Sequence, residues 1–245
     1  MRNGARMQIA DAIENLDWTR IATHLDEAGC AMVPDLLDAG ACVALRGCYD
    51  DDSLFRSKVT MARHGFGRGE YKYFSYPLPP AVEALRTALY PHLAPIANRW
   101  ETMLGRERRF PESHRDFLKT CHAAGQARPT PLLLRYGPGD HNCLHQDLYG
   151  EQVFPLQVAI LLSAPGPSPD GDFTGGEFVM TEQRPRMQAR VEVAPLTLGA
   201  AVIFAVNERP VQGARGVYRV KMRHGVSRLR SGSRHTLGII FHDAA

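Results

Sequence analysis

The sequence predicts a mainly β fold with flanking helices: an antiparallel jelly roll, or double-stranded β-helix, behind an N-terminal α-helical buttress. Three observations carry this. From Pro131 onward at least seven apolar segments, many of them short, are separated by turn residues, as in strands that pair antiparallel rather than through helical crossovers. Helical spacing of apolar residues is confined to the first half of the chain. There is no internal repeat and no linker long enough to set off a second domain, so residues 1–245 read as one domain: a helical or lid-bearing half, 1–129, and a jelly-roll core, 130–245.

In chain order, Trp18, Ile21, Ala22 and Leu25 fall at helical intervals across 17–28, and Gly29 is a natural stop. Residues 30–33 form a short strand, 38–49 a helix with a small-residue face, and 57–61 a strand. The segment 63–77 is different, setting Gly65, Gly67 and Gly69 among Phe66, Tyr71, Tyr73, Phe74 and Tyr76 and the cations Arg63, Arg68 and Lys72. It reads either as a mobile lid, with Arg63 and Tyr71 as substrate contacts, or as an ordinary loop whose aromatics pack on the barrel. It is no phosphate-binding loop, because the required preceding strand and following helix are missing. Val82, Leu85, Leu89, Leu93, Ile96, Trp100 and Leu104 predict a helix over 80–104, with Pro91 and Pro95 kinking or dividing it. A further helix, 112–124, displays His114, Arg115 and Lys119 as a cationic, solvated surface. Strands follow at 132–134, 155–162, 175–180, 191–194, 200–206, 216–220 and 235–241, with 165–172 as a loop.

A chain of 245 residues, 44% hydrophobic and 22% charged, has enough apolar material for a full core and describes a soluble globular protein. No apolar run approaches membrane-spanning length, and Met1-Arg2-Asn3-Gly4 opens a polar stretch, so neither a secretory signal nor a transmembrane helix is expected and a cytoplasmic location is. Five cysteines (Cys30, Cys42, Cys48, Cys121 and Cys143), with no C-x-x-C spacing, argue against a disulfide framework and against structural zinc. Cys143, two residues before His145, is expected to pack on the same side of the strand.

The chemistry concentrates at His145-Gln146-Asp147, which follows an apolar strand and the turn-rich run Gly137-Pro138-Gly139-Asp140. On a strand, residues two apart share a face, so an imidazole and a carboxylate at this spacing converge on one point. Two histidines and one carboxylate on one face of an octahedron mark non-haem Fe(II) oxygenases. Downstream lie Met222-Arg223-His224-Gly225 and Arg234-His235-Thr236-Leu237-Gly238, with Arg234 ten residues past His224 and opening an apolar strand. In this order of His-x-Asp, distal His and later Arg, the chain resembles the Fe(II)/2-oxoglutarate-dependent dioxygenases. The resemblance implies that His145, Asp147 and His224 are iron ligands, with Fe(II), 2-oxoglutarate and O2 as the cofactor set. It also implies that Arg234 clamps the far carboxylate of 2-oxoglutarate, with Thr236 as its hydroxyl partner and Tyr136 as a further donor. A guanidinium suits that carboxylate because it grips two oxygens at once.

A longer match runs through Arg135-Tyr136-Gly137-Pro138-Gly139-Asp140, Leu144 to Gly150, Phe173 to Phe178, Thr181 to Arg186 and Arg228 to Gly232. There the chain resembles a bacterial and fungal oxygenase family described as acting oxidatively on damaged DNA, with prolyl-hydroxylase-like positions besides. One departure stands out: AlkB-like dealkylases carry Arg-x-Asn-x-Thr-x-Arg after the distal histidine, and this chain lacks both the Asn and the second Arg. Between Pro210 and His242 lie seven cations and no Asp or Glu. With Arg184 and Arg186, the run from Arg215 to Arg230 is either a phosphate-binding edge or a row of solvated strand residues. Two substrate classes follow from the resemblance. One is oxidative demethylation of alkylated, damaged or single-stranded DNA; the other is hydroxylation of a peptide or small metabolite. A non-catalytic binding module is disfavoured by the complete ligand set, and no membrane partner is expected.

Overall fold

The computed structural model describes residues 2–245; Met1, at the start of the leader argument, lies outside them. Two helices open the chain, α1 (Arg2–Glu14) and α2 (Trp18–Ala28), followed by β1 (Cys30–Val33) and α3 (Ala39–Gly47). Next come β2 (Phe55–Thr60), β3 (Gly67–Arg68), β4 (Glu70–Phe74), α4 (Pro80–Met103) and α5 (His114–Ala123). The rest is strand: β5 (Leu132–Tyr136), β6 (His141–His145), β7 (Leu156–Leu161), β8 (Phe173–Gly175), β9 (Phe178–Gln183), β10 (Arg190–Ala194), β11 (Ala201–Ala205), β12 (Glu208–Gly213), β13 (Gly216–Val226), β14 (Leu229–Gly232) and β15 (Arg234–Ile239).

Local chemistry sets the helix ends. Asp17 caps α2 by accepting from the Arg20 amide at 2.9 Å, and Gly29 closes it at φ +76° with its amide donating to Leu25. Asp38 caps α3 in the same way through the Ala41 amide. Pro91 and Pro95 do not divide α4, which runs unbroken. Each proline costs one backbone hydrogen bond, and the buried row Val82, Leu85, Leu89, Leu93, Ile96 and Trp100 outweighs that cost by holding the helix against the core. Arg86, also buried on α4, donates to the carbonyls of Ile240 and Phe241 and pairs with Asp243 at 2.8 Å, tying the helix to the chain's last strand and tail.

Strands β8 and β14 pair as a separate two-stranded sheet, and the other thirteen form two antiparallel sheets that face each other as a jelly roll. One has the order β1-β11-β7-β15-β5-β4-β2; the other runs β10-β9-β13-β6-β3, with β12 on β13. Phe178 of β9 meets Phe204 of β11 at 5.0 Å between ring centroids, and Phe204 meets His224 of β13 at 4.6 Å, so the inner faces touch. One contiguous core joins Ile9 of α1 to Phe241. β12 went unforeseen because Pro210 interrupts its pattern, and it is tolerated because β12 is bonded only to β13.

The aromatic, glycine-rich segment is corrected by the fold. Residues 70–74 are β4, paired with β2 on one side and β5 on the other, so the aromatic part of the expected lid is sheet. Gly67 and Gly69 permit close approach: a Cβ on Gly67 would lie 2.3 Å from the His141 carbonyl oxygen, and one on Gly69 would lie 2.9 Å from the Tyr136 ring. His114 is also corrected, since it is 3% exposed and not part of a cationic surface. Its Nε2–H donates to the Phe241 carbonyl at 2.8 Å. Burial, reinforced by nearby Arg86, pushes its imidazole down to about 3.

A proton refused by the fold at His114 is accepted by the unfolded chain below about pH 6.5, so this group's contribution is intact above that pH and is lost as pH falls toward about 3. His114→Gln, whose amide can still donate to Phe241, should flatten the decline of the urea midpoint between those limits. An unchanged slope would remove His114 as its source.

Candidate metal and co-substrate site

The two histidines are brought together by strand pairing. β6 and β13 run antiparallel with His145 directly opposite His224, their rings 4.2 Å apart. Asp147 does not share the strand, as the sequence spacing had suggested: β6 ends at His145, and the carboxylate reaches back from the coil beyond. His145 Nε2 lies 3.5 Å from Asp147 Oδ1, and His224 Nε2 lies 3.3 Å from Oδ2. Donor atoms of all three residues lie within 4.8 Å of one another.

Tautomer and charge favour a cation here. A carbonyl can only accept, so the 2.8 Å contact from His145 Nδ1 to the Cys143 carbonyl puts a proton on Nδ1 and leaves Nε2 as the nitrogen that faces the site. Asp147 is buried, which works against its charge, yet hydrogen bonds from His145 and His224 hold its carboxyl well below the usual range. The result is a buried carboxylate whose neighbours are two imidazoles, with no Lys or Arg paired to it among the described residues. Two nitrogens and a carboxylate oxygen are the donor set that suits Fe(II) in a facial arrangement.

The triad opens on a cavity of about 220 Å³ between the sheets. At another part of its wall stands Arg234, the first residue of β15, in register with Tyr136 of β5 and two residues from Thr236 on the same face. Arg234 is 1% exposed, and its Nη1 donates to Thr236 Oγ1 at 2.5 Å. The Arg234 Nε and the Tyr136 hydroxyl are buried without a hydrogen-bond partner among the described residues, and Arg234 forms no ion pair there. Burial lowers the guanidinium to about 10, so it stays charged at neutral pH. A buried cation beside an unused phenol and a hydroxyl has the chemistry to accept an anion, and a carboxylate matches the planar fork.

The other expected contacts separate into two groups. Tyr71 lines the cavity, together with Phe66, Tyr73 and Tyr149. Arg63, Arg184 and Arg186 do not line it. Arg184 Nε is bound at 2.7 Å to Glu182, which is buried and also pairs with Arg209, so it is not a free phosphate ligand. Arg186 sits exposed in the turn after β9. Along β13, Arg219, Lys221 and Arg223 alternate with buried Val220, Met222 and His224, so the cationic row faces solvent on the side away from the cavity. Cys143 is exposed rather than packed.

Sequence reading assigned no role to Tyr149 or Gln157. Tyr149 donates to Asp147 Oδ1 at 2.7 Å. Gln157, on β7, lines the cavity with its Nε2 buried and unpartnered. Its signal was present as a lone amide in an otherwise apolar strand.

Comparison with known proteins agrees with this arrangement. Residues 69–244 match a family described as an oxygenase catalysing oxidative methylation of damaged DNA. An uncharacterized protein of Mycobacterium tuberculosis is 52% identical over 203 residues, covering 83% of this chain and 80% of the relative. Among solved structures, a Pseudomonas putida prolyl-4-hydroxylase aligns over 93% of this chain and 99% of its own, with 14% identity and a TM-score of 0.51. A Trichoplax adhaerens prolyl hydroxylase, in complex with a hypoxia inducible factor peptide fragment, aligns over 97% and 93%, with 15% identity and a TM-score of 0.55. A Burkholderia pseudomallei oxidoreductase of the 2OG-Fe(II) oxygenase family aligns over 94% of both chains, with 16% identity and a TM-score of 0.54.

Replacing the buried cation tests the receptor. Arg234→Leu should weaken 2-oxoglutarate binding by roughly 2–5 kcal/mol while leaving Mn(II) binding nearly unchanged, as measured by calorimetry of each ligand separately. Equal 2-oxoglutarate affinity in both proteins would assign the carboxylate to another group.

Proposed function

We propose that this chain, which belongs to the family described as an oxygenase catalysing oxidative methylation of damaged DNA, is an Fe(II)- and 2-oxoglutarate-dependent dioxygenase that demethylates alkylated nucleic acid oxidatively. In this reading His145, Asp147 and His224 hold Fe(II), and Arg234, with Thr236 and Tyr136, binds the far carboxylate of 2-oxoglutarate. The observation that carries it is the pairing of a His–Asp–His cluster with a buried arginine that forms no ion pair among the described residues, in one cavity. Iron held there supplies activation of O2 coupled to decarboxylation of 2-oxoglutarate, which leaves as succinate and CO2 with one oxygen atom retained in succinate.

The remaining steps belong to the chain's own residues. Arg234 orients the co-substrate by a two-point grip, and the apolar sheet faces exclude water around it. Phe66, Tyr71, Tyr73 and Tyr149 give the cavity flat walls on which an extruded base can lie. Arg63 stands in the exposed turn just before Phe66, outside the cavity, where the backbone phosphate of such a nucleotide would remain. Hydroxylation of an N-methyl carbon inserts the second oxygen atom, and the resulting hemiaminal expels formaldehyde and restores the N–H.

One observation favours the alternative of a peptide or small-metabolite hydroxylase. Arg234 is the only Lys or Arg among the described residues lining the cavity, which leaves the cavity itself suited to a neutral group.

Succinate and formaldehyde should be measured together with methylated single-stranded DNA, unmethylated DNA and a proline-containing peptide. The expected result is succinate above the uncoupled background only with methylated DNA, matched by formaldehyde. Stimulation by the peptide, with no effect of DNA, would replace this reading with the hydroxylase.

A further inference from the structure

We propose that Tyr149 is a positioning residue of the metal site, fixing the Asp147 carboxylate through a hydroxyl that is itself fixed by Tyr73. The inference rests on the reading of His145, Asp147 and His224 as metal ligands.

The polarity of the contacts is determined by valence. A phenol has one proton, and the Tyr149 hydroxyl lies 2.7 Å from Asp147 Oδ1, an ionised oxygen that can only accept. Tyr149 therefore spends its proton on Asp147. Its oxygen must accept from the Tyr73 hydroxyl, 3.0 Å away. The relay runs Tyr73 to Tyr149 to Asp147, with Tyr73 buried on β4, which is paired on both sides, by β5 and by the edge strand β2 of the larger sheet.

Asp147 needs such a device because it lies beyond the end of β6, where no strand pairing holds it. A carboxylate on a free coil can rotate about χ2 and present either oxygen, or both, to a cation. A hydrogen bond to Oδ1 fixes the plane and leaves Oδ2 toward His224, 3.3 Å from its Nε2. The coil itself is pinned on both sides of Asp147. Gln146 donates to the Met222 carbonyl and to Asn207 at 2.8 and 2.7 Å, while buried Gln126 donates to the Tyr149 carbonyl at 2.9 Å. Gly150, at φ +92°, lets the chain pass Gln126 where a Cβ would come within 2.5 Å of that side chain. Backbone and hydroxyl of Tyr149 are thus both anchored, so the hydroxyl is a fixed point from which to hold the carboxylate.

Removing a hydrogen bond that orients a metal ligand typically costs about 10–100-fold in metal affinity. Mn(II) titration of the full chain, followed by calorimetry and electron paramagnetic resonance, should show Tyr149→Phe binding about 10–100-fold more weakly, with a broadened Mn(II) signal as the carboxylate gains freedom. Tyr73→Phe should show a smaller loss in the same direction, because Tyr149 still donates. Thermal midpoints in chelator should stay near wild type, whereas the rise on adding Mn(II) should shrink in the order wild type, Tyr73→Phe, Tyr149→Phe. If Tyr149→Phe fails to fold, the Tyr73→Phe titration decides. Unchanged Mn(II) affinity and signal in a folded Tyr149→Phe, or in Tyr73→Phe if the former is unfolded, would overturn the inference alone. A wild type that takes up no Mn(II) would remove the metal-site reading and this inference with it.

Discussion

The site exists only while two sheets are held face to face, because its two charges hang from different sheets. His145 and His224 belong to β6 and β13 of the smaller sheet, and Arg234 to β15 of the larger. The contacts of Phe178 with Phe204, and of Phe204 with His224, set the gap between them. Close-packed rings transmit small displacements, so this gap is not freely adjustable. Within it the chain keeps a carboxylate and a guanidinium buried without pairing them to each other. Asp147 is satisfied by two imidazoles and a phenol, but Arg234 has a single hydroxyl partner. Burying a cation with so little compensation is costly, and an anionic ligand at this position would relieve it.

Much of this was legible in the sequence because its geometry is local. Arg234 and Thr236 share a face by strand parity alone, and the caps of α2 and α3 are readable from Asp17, Gly29 and Asp38. Antiparallel strand texture was enough for the jelly roll, which the solved structures share. What stayed hidden depends on partners distant in sequence. The opposition of His145 and His224 is a register between strands about eighty residues apart, and no periodicity in either strand encodes it. The side chains of His-x-Asp do converge, but not through the pleat, since Asp147 lies beyond β6 and is held by Tyr149. The glycines of 63–69 suggested a mobile lid as readily as a packed loop; Gly67 and Gly69 are needed because β6 and Tyr136 pass too close for a side chain.

Charge patterning was the least transferable signal. A run of cations without acids says nothing about which face they occupy, and alternation along β13 turns Arg219, Lys221 and Arg223 away from the cavity while His224 turns in. Arg184 is neutralised by Glu182, two residues before it, because the buried Glu182 accepts from both Arg184 and Arg209. Any contact this outer row makes with nucleic acid would be sequence-independent and strongly dependent on salt, whereas under the proposed function selection of the reacting group would fall to the aromatic and amide walls of the cavity.

The central claim is that one divalent iron is held by three residues brought together from two strands and a coil. Anaerobic Fe(II) titration of the wild type and of the single variants His145→Ala, Asp147→Ala and His224→Ala, each checked for fold by circular dichroism, tests it most directly. The account predicts one equivalent bound by the wild type and none at the same concentration by any folded variant. Full retention of Fe(II) binding in any one of the three would contradict it.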